Sequence, residues 1–72
     1  MKQEERLLKH LLKGRSIDGI RAWHVLGIYR LSACIHRLRN QGWNIQDRWN
    51  TGKNRFKEEV RWKVYFIPKE DR

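Results

Sequence analysis

His36, Arg37 and Asn40 lie within about one helical turn of each other, and Ser32 and Ala33 precede them by about one turn. These residue types suit recognition rather than bond breaking. An Arg fork matches the paired acceptors of guanine, and an Asn amide matches the acceptor and donor of adenine. Small Ser32 and Ala33 let a backbone approach closely, and Tyr29 stands about one turn before them. Arg30 and Arg39 flank the set, where a guanidinium suits a phosphate better than a base edge. Bond-making chemistry has no comparable support. The eight acids form no pair at a diagnostic spacing, and there is no Gly-rich phosphate loop, nucleophile motif or HExxH. Neither an enzyme nor a cofactor is expected. Cys34 and His36 are two apart and point to different helix faces, with no paired-Cys motif, so no metal is expected either. Cys34 reads as a small buried hydrophobe.

The charge points the same way. Seventeen Lys and Arg against eight acids give a formal +9 and a pI near 10.5. Such a field attracts and steers polyanions. Nucleic acid is the common target and an anionic membrane surface the rival. The stretch 29–63 is about half of the chain and holds nine Lys or Arg and three acids, a net +6 of the total. No apolar run approaches the roughly 20 residues that span a bilayer. Leu7-Leu8 and Leu11-Leu12 are interrupted by Lys9-His10, unlike a signal peptide. A lone Cys34 makes no internal disulfide, so the expectation is a soluble, cytoplasmic protein. With 72 residues there is room for one small domain.

Four elements position these residues. Leu7, Leu8, Leu11 and Leu12 predict a first helix over 2–13, with Glu4 and Glu5 in its first turn and Gly14 at its C-cap. A short extended connector, 15–17, leads to Asp18, a good N-cap for a second helix over 19–26 with apolar Ile20, Ala22, Trp23 and Leu26. Gly27 ends it. Leu31, Cys34, Ile35 and Leu38 then give i, i+3, i+4, i+7 spacing and a third helix over 29–41, closed by Gly42. From Trp43 the period changes to two, and Val60-Arg61-Trp62-Lys63-Val64 alternates strictly. Two such runs predict a β-hairpin over 43–67 around a charged loop of about ten residues that carries Lys53, Arg55 and Lys57. Glu58-Glu59 falls either on the loop or on the strand. The tail 69–72 is expected to fray.

Two helices joined by a tight Gly turn make a helix-turn-helix, and a hairpin directly after the third helix makes it winged, an α+β fold. The polar face of the third helix (Tyr29, Ser32, Ala33, His36, Arg37, Asn40) is then placed to enter a major groove. Lys53, Arg55 and Lys57 can reach phosphate or an adjacent minor groove, alongside Arg30 and Arg39. Trp43 and Trp62 are expected on the packed face of the hairpin, and Trp23 in the core between the first two helices. Trp49 is expected in packing more than on the surface. His10 and His24 are expected to be structural or exposed.

The run Gly27-Ile28-Tyr29-Arg30-Leu31-Ser32-Ala33-Cys34-Ile35-His36-Arg37-Leu38-Arg39-Asn40-Gln41-Gly42-Trp43-Asn44-Ile45 resembles the core of the small helix-turn-helix domains common in phage and prophage proteins. Those read roughly G-I-x-R-L-S-A-x-I-x-x-L-R-x-x-G-[aromatic]-x-I, then a wing and a Tyr-containing strand. The resemblance covers about residues 4–67. This chain departs from the family in having Tyr29 where Thr or Ser is frequent, and in a longer, more basic wing. The resemblance implies a winged-helix binder of double-stranded DNA, often a small transcriptional regulator carried by a mobile element and acting in the bacterial cytoplasm or nucleoid. One module offers limited contact area, so a homodimer or cooperative assembly on DNA is expected. No small-molecule ligand is expected. Two further readings use the same features. One is an excisionase-like architectural protein that bends DNA. The other is a protein-interaction module that inhibits a host factor through exposed Tyr29, Trp49 and Tyr65. RNA binding has less support, since no RRM-like aromatic pair sits on adjacent strands.

Overall fold

The computed structural model describes residues 2–72. Helix α1 is Gln3–Leu12, a second helical segment α2 covers 19–26, and α3 is Leu31–Asn40. Strands β1 (Gln46–Lys53) and β2 (Glu59–Phe66) follow as an antiparallel pair. The expected order of helix, connector, helix, turn, helix and hairpin is the observed one.

The core is built from two stripes. Leu7 and Leu11 of α1 are fully buried, and Leu8 and Leu12 pack beside them half-buried. Leu31, Cys34, Ile35 and Leu38 of α3 meet that stripe as α1 and α3 pack together. Ala22 of α2 and Ile17, Ile28, Ile45 and Ile67 of the connecting segments close the cluster. The helix ends follow the glycines. Gly14, Gly27 and Gly42 have φ of 85°, 67° and 99°, the left-handed region where a Cβ is strained. His10 is buried at the end of α1 with its Nε2 3.3 Å from the Ser16 carbonyl oxygen, whereas His24 is exposed.

α2 departs from the expected pattern. Asp18 caps it as expected, its Oδ1 accepting from the Arg21 N–H at 2.9 Å. Gly19–Arg21 is one α-helical turn, and Ala22–Leu26 widens into a π-helical turn. The Ile28 N–H reaches back to the Ala22 carbonyl at 3.0 Å. Of the four apolar positions, only Ala22 is fully buried and Leu26 partly so. Ile20 is 74% exposed, and Trp23, expected in the core, is 54% exposed. The reason is angular. At about 100° per residue Ile20 lies roughly 160° from Ala22, so the four residues never formed one stripe. Trp23 instead meets Tyr29 edge-on, with ring centroids 5.6 Å apart.

The expected connector strand shrinks to one residue. Ile17 pairs with Tyr65 through hydrogen bonds of 3.0 and 2.8 Å. The hairpin begins later than the alternation suggested and has a shorter loop. Trp43 precedes the strand; its N–H bonds to the Leu38 carbonyl at 3.2 Å, and its ring packs half-buried against the core. Thr51-Gly52-Lys53 belongs to β1, so the turn is 54–58 rather than ten residues, with Glu58 in the turn and Glu59 on the strand. Gly52 fits a strand because the Trp62 ring covers it, only 3.1 Å from where a Cβ would stand. The tail is ordered, not frayed. Lys69–Asp71 forms a 3₁₀ turn, Arg72 Nε donates to the Ile67 carbonyl at 2.8 Å, and Asn44 donates to Asp71 at 2.7 Å.

Leu11→Ala is expected to destabilise the domain by about 2–5 kcal/mol, because it leaves a cavity at a fully buried site. Ile20→Ala should stay within about 0.5 kcal/mol of the parent, as an exposed substitution does. Urea unfolding of the two variants checks both values. A large loss at Ile20 would restore that residue to the core.

Candidate nucleic-acid interface

α3 sorts its residues by helical geometry. With Leu31, Cys34, Ile35 and Leu38 turned inward, Ser32, His36, Arg37 and Asn40 are exposed and Ala33 is half-buried on the opposite side. The Asn40 Nδ2 lies 3.3 Å from the His36 Nε2, so these two side chains stand as a pair. Arg30 is the N-cap residue and makes no side-chain cap bond, which agrees with the absence of Ser or Thr at this turn. Tyr29, just outside the helix, is 79% exposed. Five of the six residues expected to face a groove therefore lie on the outward side of α3, with Ala33 the least accessible, and Tyr29 stands before its first turn, against Trp23.

Arg39 has a role that its position on the helix does not announce. Its Nε and Nη2 donate to the Ile45 carbonyl at 3.0 and 2.7 Å, and Nη2 also meets Asp47 Oδ2 at 3.1 Å. The guanidinium carbon stands 5.9 Å from the centre of the Tyr65 ring. Arg39 thus ties the end of α3 to the start of β1. Tyr65, expected among the exposed aromatics, is half-buried against the core, because its backbone pairs with Ile17 on one side and Asp47 on the other.

The wing carries the remaining charge. By strand alternation Trp49, Thr51, Lys53, Glu59, Arg61 and Lys63 share one face with Asp47 and Tyr65, the pair that Arg39 contacts. That face therefore meets the flank of α3 at Arg39. Trp49 is 56% exposed rather than packed inward, with the Arg61 guanidinium 4.7 Å and the Lys63 ammonium 5.4 Å from its ring. Lys53 ends β1, and Arg55 and Lys57 lie in the turn. Arg61 and Lys63 were absent from the expected contact set, although the strict alternation of 60–64 already places them on one face. Between the wing and the starts of α2 and α3 runs an open groove of about 890 Å³, lined by Ile20, Tyr29, Arg30, Val60 and Trp62 among others.

Nothing in this surface gathers metal ligands: the described residues hold no group of three His, Cys, Asp or Glu side chains placed for an ion. Cys34 is 1% exposed, and burial pushes its thiol above the ordinary range, with the Arg37 charge opposing. A protonated buried thiol is a poor nucleophile. Labelling by a thiol-reactive probe is expected to be slow in buffer and fast in denaturant. Equal rates would place Cys34 at the surface.

Replacing Arg39 by Ala should cost roughly 1–2 kcal/mol, since a charged donor to two acceptors is lost at a partly exposed site. Arg39→Lys should recover only part of this, because an ammonium could still meet the carbonyl and the carboxylate but lacks the second, Nε donor to Ile45 and the planar group beside Tyr65. Urea midpoints measure both, and full rescue by Lys would reduce the contact to simple charge.

No helix among the described residues is long and apolar enough to cross a membrane. Searches of the curated proteins and of the solved structures returned no match. A family model described as a winged helix-turn-helix domain matches residues 2–69, and such a domain points to DNA as the ligand. A third helix with an exposed polar face, a basic hairpin tied to its end and a match over nearly the whole chain lead to one assignment: the protein belongs to the winged helix-turn-helix family.

Proposed function

We propose that the chain binds double-stranded DNA sequence-specifically, as a small transcriptional regulator carried by a phage or other mobile element. α3 enters the major groove with Tyr29, Ser32, Ala33, His36, Arg37 and Asn40. Arg30, Lys53, Arg55 and Lys57 meet the phosphate backbone or an adjacent minor groove, and Arg61 and Lys63 join them. Arg39 contributes charge from its place at the wing junction. The observation that carries this reading is the exposed polar face of α3 on a chain whose hairpin, tied to α3 through Arg39, bears six Lys or Arg against three acids. Each surface serves a different part of recognition: base edges specify, and phosphates position.

Two copies are part of the proposal. A single recognition helix covers a short site, and operators of this kind usually pair half-sites about one helical turn apart. Binding as a homodimer, or cooperatively on adjacent sites, supplies the missing contact area.

Selection of bound sequences from a random duplex library at physiological salt tests the reading directly, and a palindromic motif is expected. On that motif, Arg37→Ala should weaken binding by about 1–3 kcal/mol and relax preference at one base position. Lys53→Ala should weaken selected and random duplexes alike and lower the salt slope by about 1. If Arg37→Ala lost the same affinity on both duplexes, α3 would not be reading bases.

A further inference from the structure

The turn of the wing holds a side chain that charge does not explain. Phe56 sits at the tip, 69% exposed, and its one ring contact is with the adjacent Arg55, whose guanidinium stands 5.1 Å from the ring centre. None of the buried residues lies between 46 and 63, so the ring is far from any core it could join. A tip needed only for phosphate contact would be served by Lys, Arg, Ser or Gly.

The turn beneath the ring is tightly built. Asn54 Oδ1 accepts from the Phe56 and Glu58 N–H groups at 2.9 and 3.1 Å, and Asn54 Nδ2 donates to Glu58 Oε1 at 3.2 Å. The Asn54 N–H and carbonyl add bonds to the Glu58 carbonyl at 3.1 Å and the Lys57 N–H at 3.0 Å. Lys57 accepts a φ of 63° to close it. Five hydrogen bonds across five residues hold Phe56 at the apex, with Lys53, Arg55 and Lys57 nearby in sequence, while Glu58 is turned to Asn54 and Glu59 pairs with Lys53 at the foot of the turn. The occupant that fits is a narrow anionic cleft that can open an apolar slot. A DNA minor groove has sugar–phosphate walls and a floor of base edges, and proteins that kink DNA insert apolar wedges between base steps there, against the apolar faces of the bases.

Resting on the duplex-binding reading above, we infer that Phe56 is such a wedge: it enters the minor groove flanking the site of α3, partly unstacks one base step and bends the duplex. The reach is sufficient. Eight paired positions at about 3.3 Å each carry the tip roughly 26 Å from the base of the hairpin. The flanking minor groove lies about half a helical turn from the major groove that α3 would occupy, or about 17 Å. Pyrimidine–purine steps unstack most readily, so a TA or CA/TG step is expected at a fixed distance from the bases read by α3. Cations around the wedge hold the groove walls while the ring acts on the stack.

The full chain tests this on a duplex taken from the selection. Energy transfer between dyes at the duplex ends reads bending, and 2-aminopurine at the candidate step reads unstacking. The parent protein is expected to shorten the end-to-end distance and raise 2-aminopurine fluorescence several-fold. Phe56→Ala should still bind, with an unchanged salt slope because no charge is removed, but should abolish both signals. Phe56→Leu, which keeps an apolar wedge, should retain most of the bend. An exposed tip residue leaves folding intact, and equal melting temperatures verify it. Binding without bending by the parent, or equal bending by Phe56→Ala, overturns the wedge and leaves duplex recognition standing. Failure to bind any duplex removes both. Loss by Phe56→Ala of binding to vesicles of anionic and neutral phospholipid, with DNA bending unaltered, also overturns the wedge.

Discussion

One guanidinium joins the end of α3 to the start of the wing. Arg39 donates to the Ile45 carbonyl and to Asp47, and so spans the irregular connection 43–45 between α3 and β1. A lone two-stranded hairpin is marginal in water. This one is anchored only at its base, where Val64 and Ile67 are buried, Tyr65 pairs with Ile17 and Arg39 closes the junction. The placement of the hairpin against the end of α3 rests on that junction together with the buried residues at the base. A guanidinium suits this position better than an ammonium, since Nε and Nη2 both donate to the Ile45 carbonyl while Nη2 also reaches Asp47.

Beyond the junction the hairpin has no core to lean on, and its stabilisation is built from aromatic and cationic neighbours. Arg61 and Lys63 stand over Trp49, Arg48 over Phe66, Arg55 over Phe56, and Trp62 covers Gly52. Cation–π contacts at exposed sites contribute about 0.5–1 kcal/mol each, so several are needed where one buried leucine would suffice elsewhere. The arrangement places like charges close together, and a chain of formal charge +9 repels itself. Added salt relieves that repulsion in the free protein and weakens attraction to a polyanion. Folding and nucleic-acid binding therefore respond to ionic strength in opposite directions.

How far the sequence disclosed this depended on whether a residue's position was fixed locally. The α3 stripe and the glycines at 14, 27 and 42 were legible because burial there follows helical period, and positive φ follows chain reversal. The α2 segment misled because four apolar residues were counted without their angles, and because a π turn interrupts the period. Thr51-Gly52-Lys53 carried turn composition yet is strand, since Trp62 supplies across the ladder what Gly52 lacks. Arg39 looked like a phosphate contact because helical spacing put it on the flank. Only the path of 43–47 shows that its side chain has nearer acceptors. On the interface itself, the polar face of α3 could be read in advance, whereas the Arg61–Trp49–Lys63 stack needed the strand register.

The apolar residues left outside the core complete the physical picture. Ile20, Trp23, Val25 and Tyr29 are exposed around α2, and Trp49, Phe56, Val60 and Trp62 along the wing. A domain of this size already buries only about 60% of its unfolded surface, so leaving so many large side chains in water holds its stability low. Ile20 and Tyr29 share the open groove with Val60 and Trp62, so these four face each other across the start of α3, whereas Trp23, Val25, Trp49 and Phe56 lie outside it. High net charge opposes close approach of such surfaces on separate copies. A bound duplex neutralises that charge, and on the proposed reading the same event covers apolar area along the wing. Association driven by counterion release alone would show little change in heat capacity. Apolar burial at the wing adds a negative one, and so marks how much of the recognition is contact rather than charge.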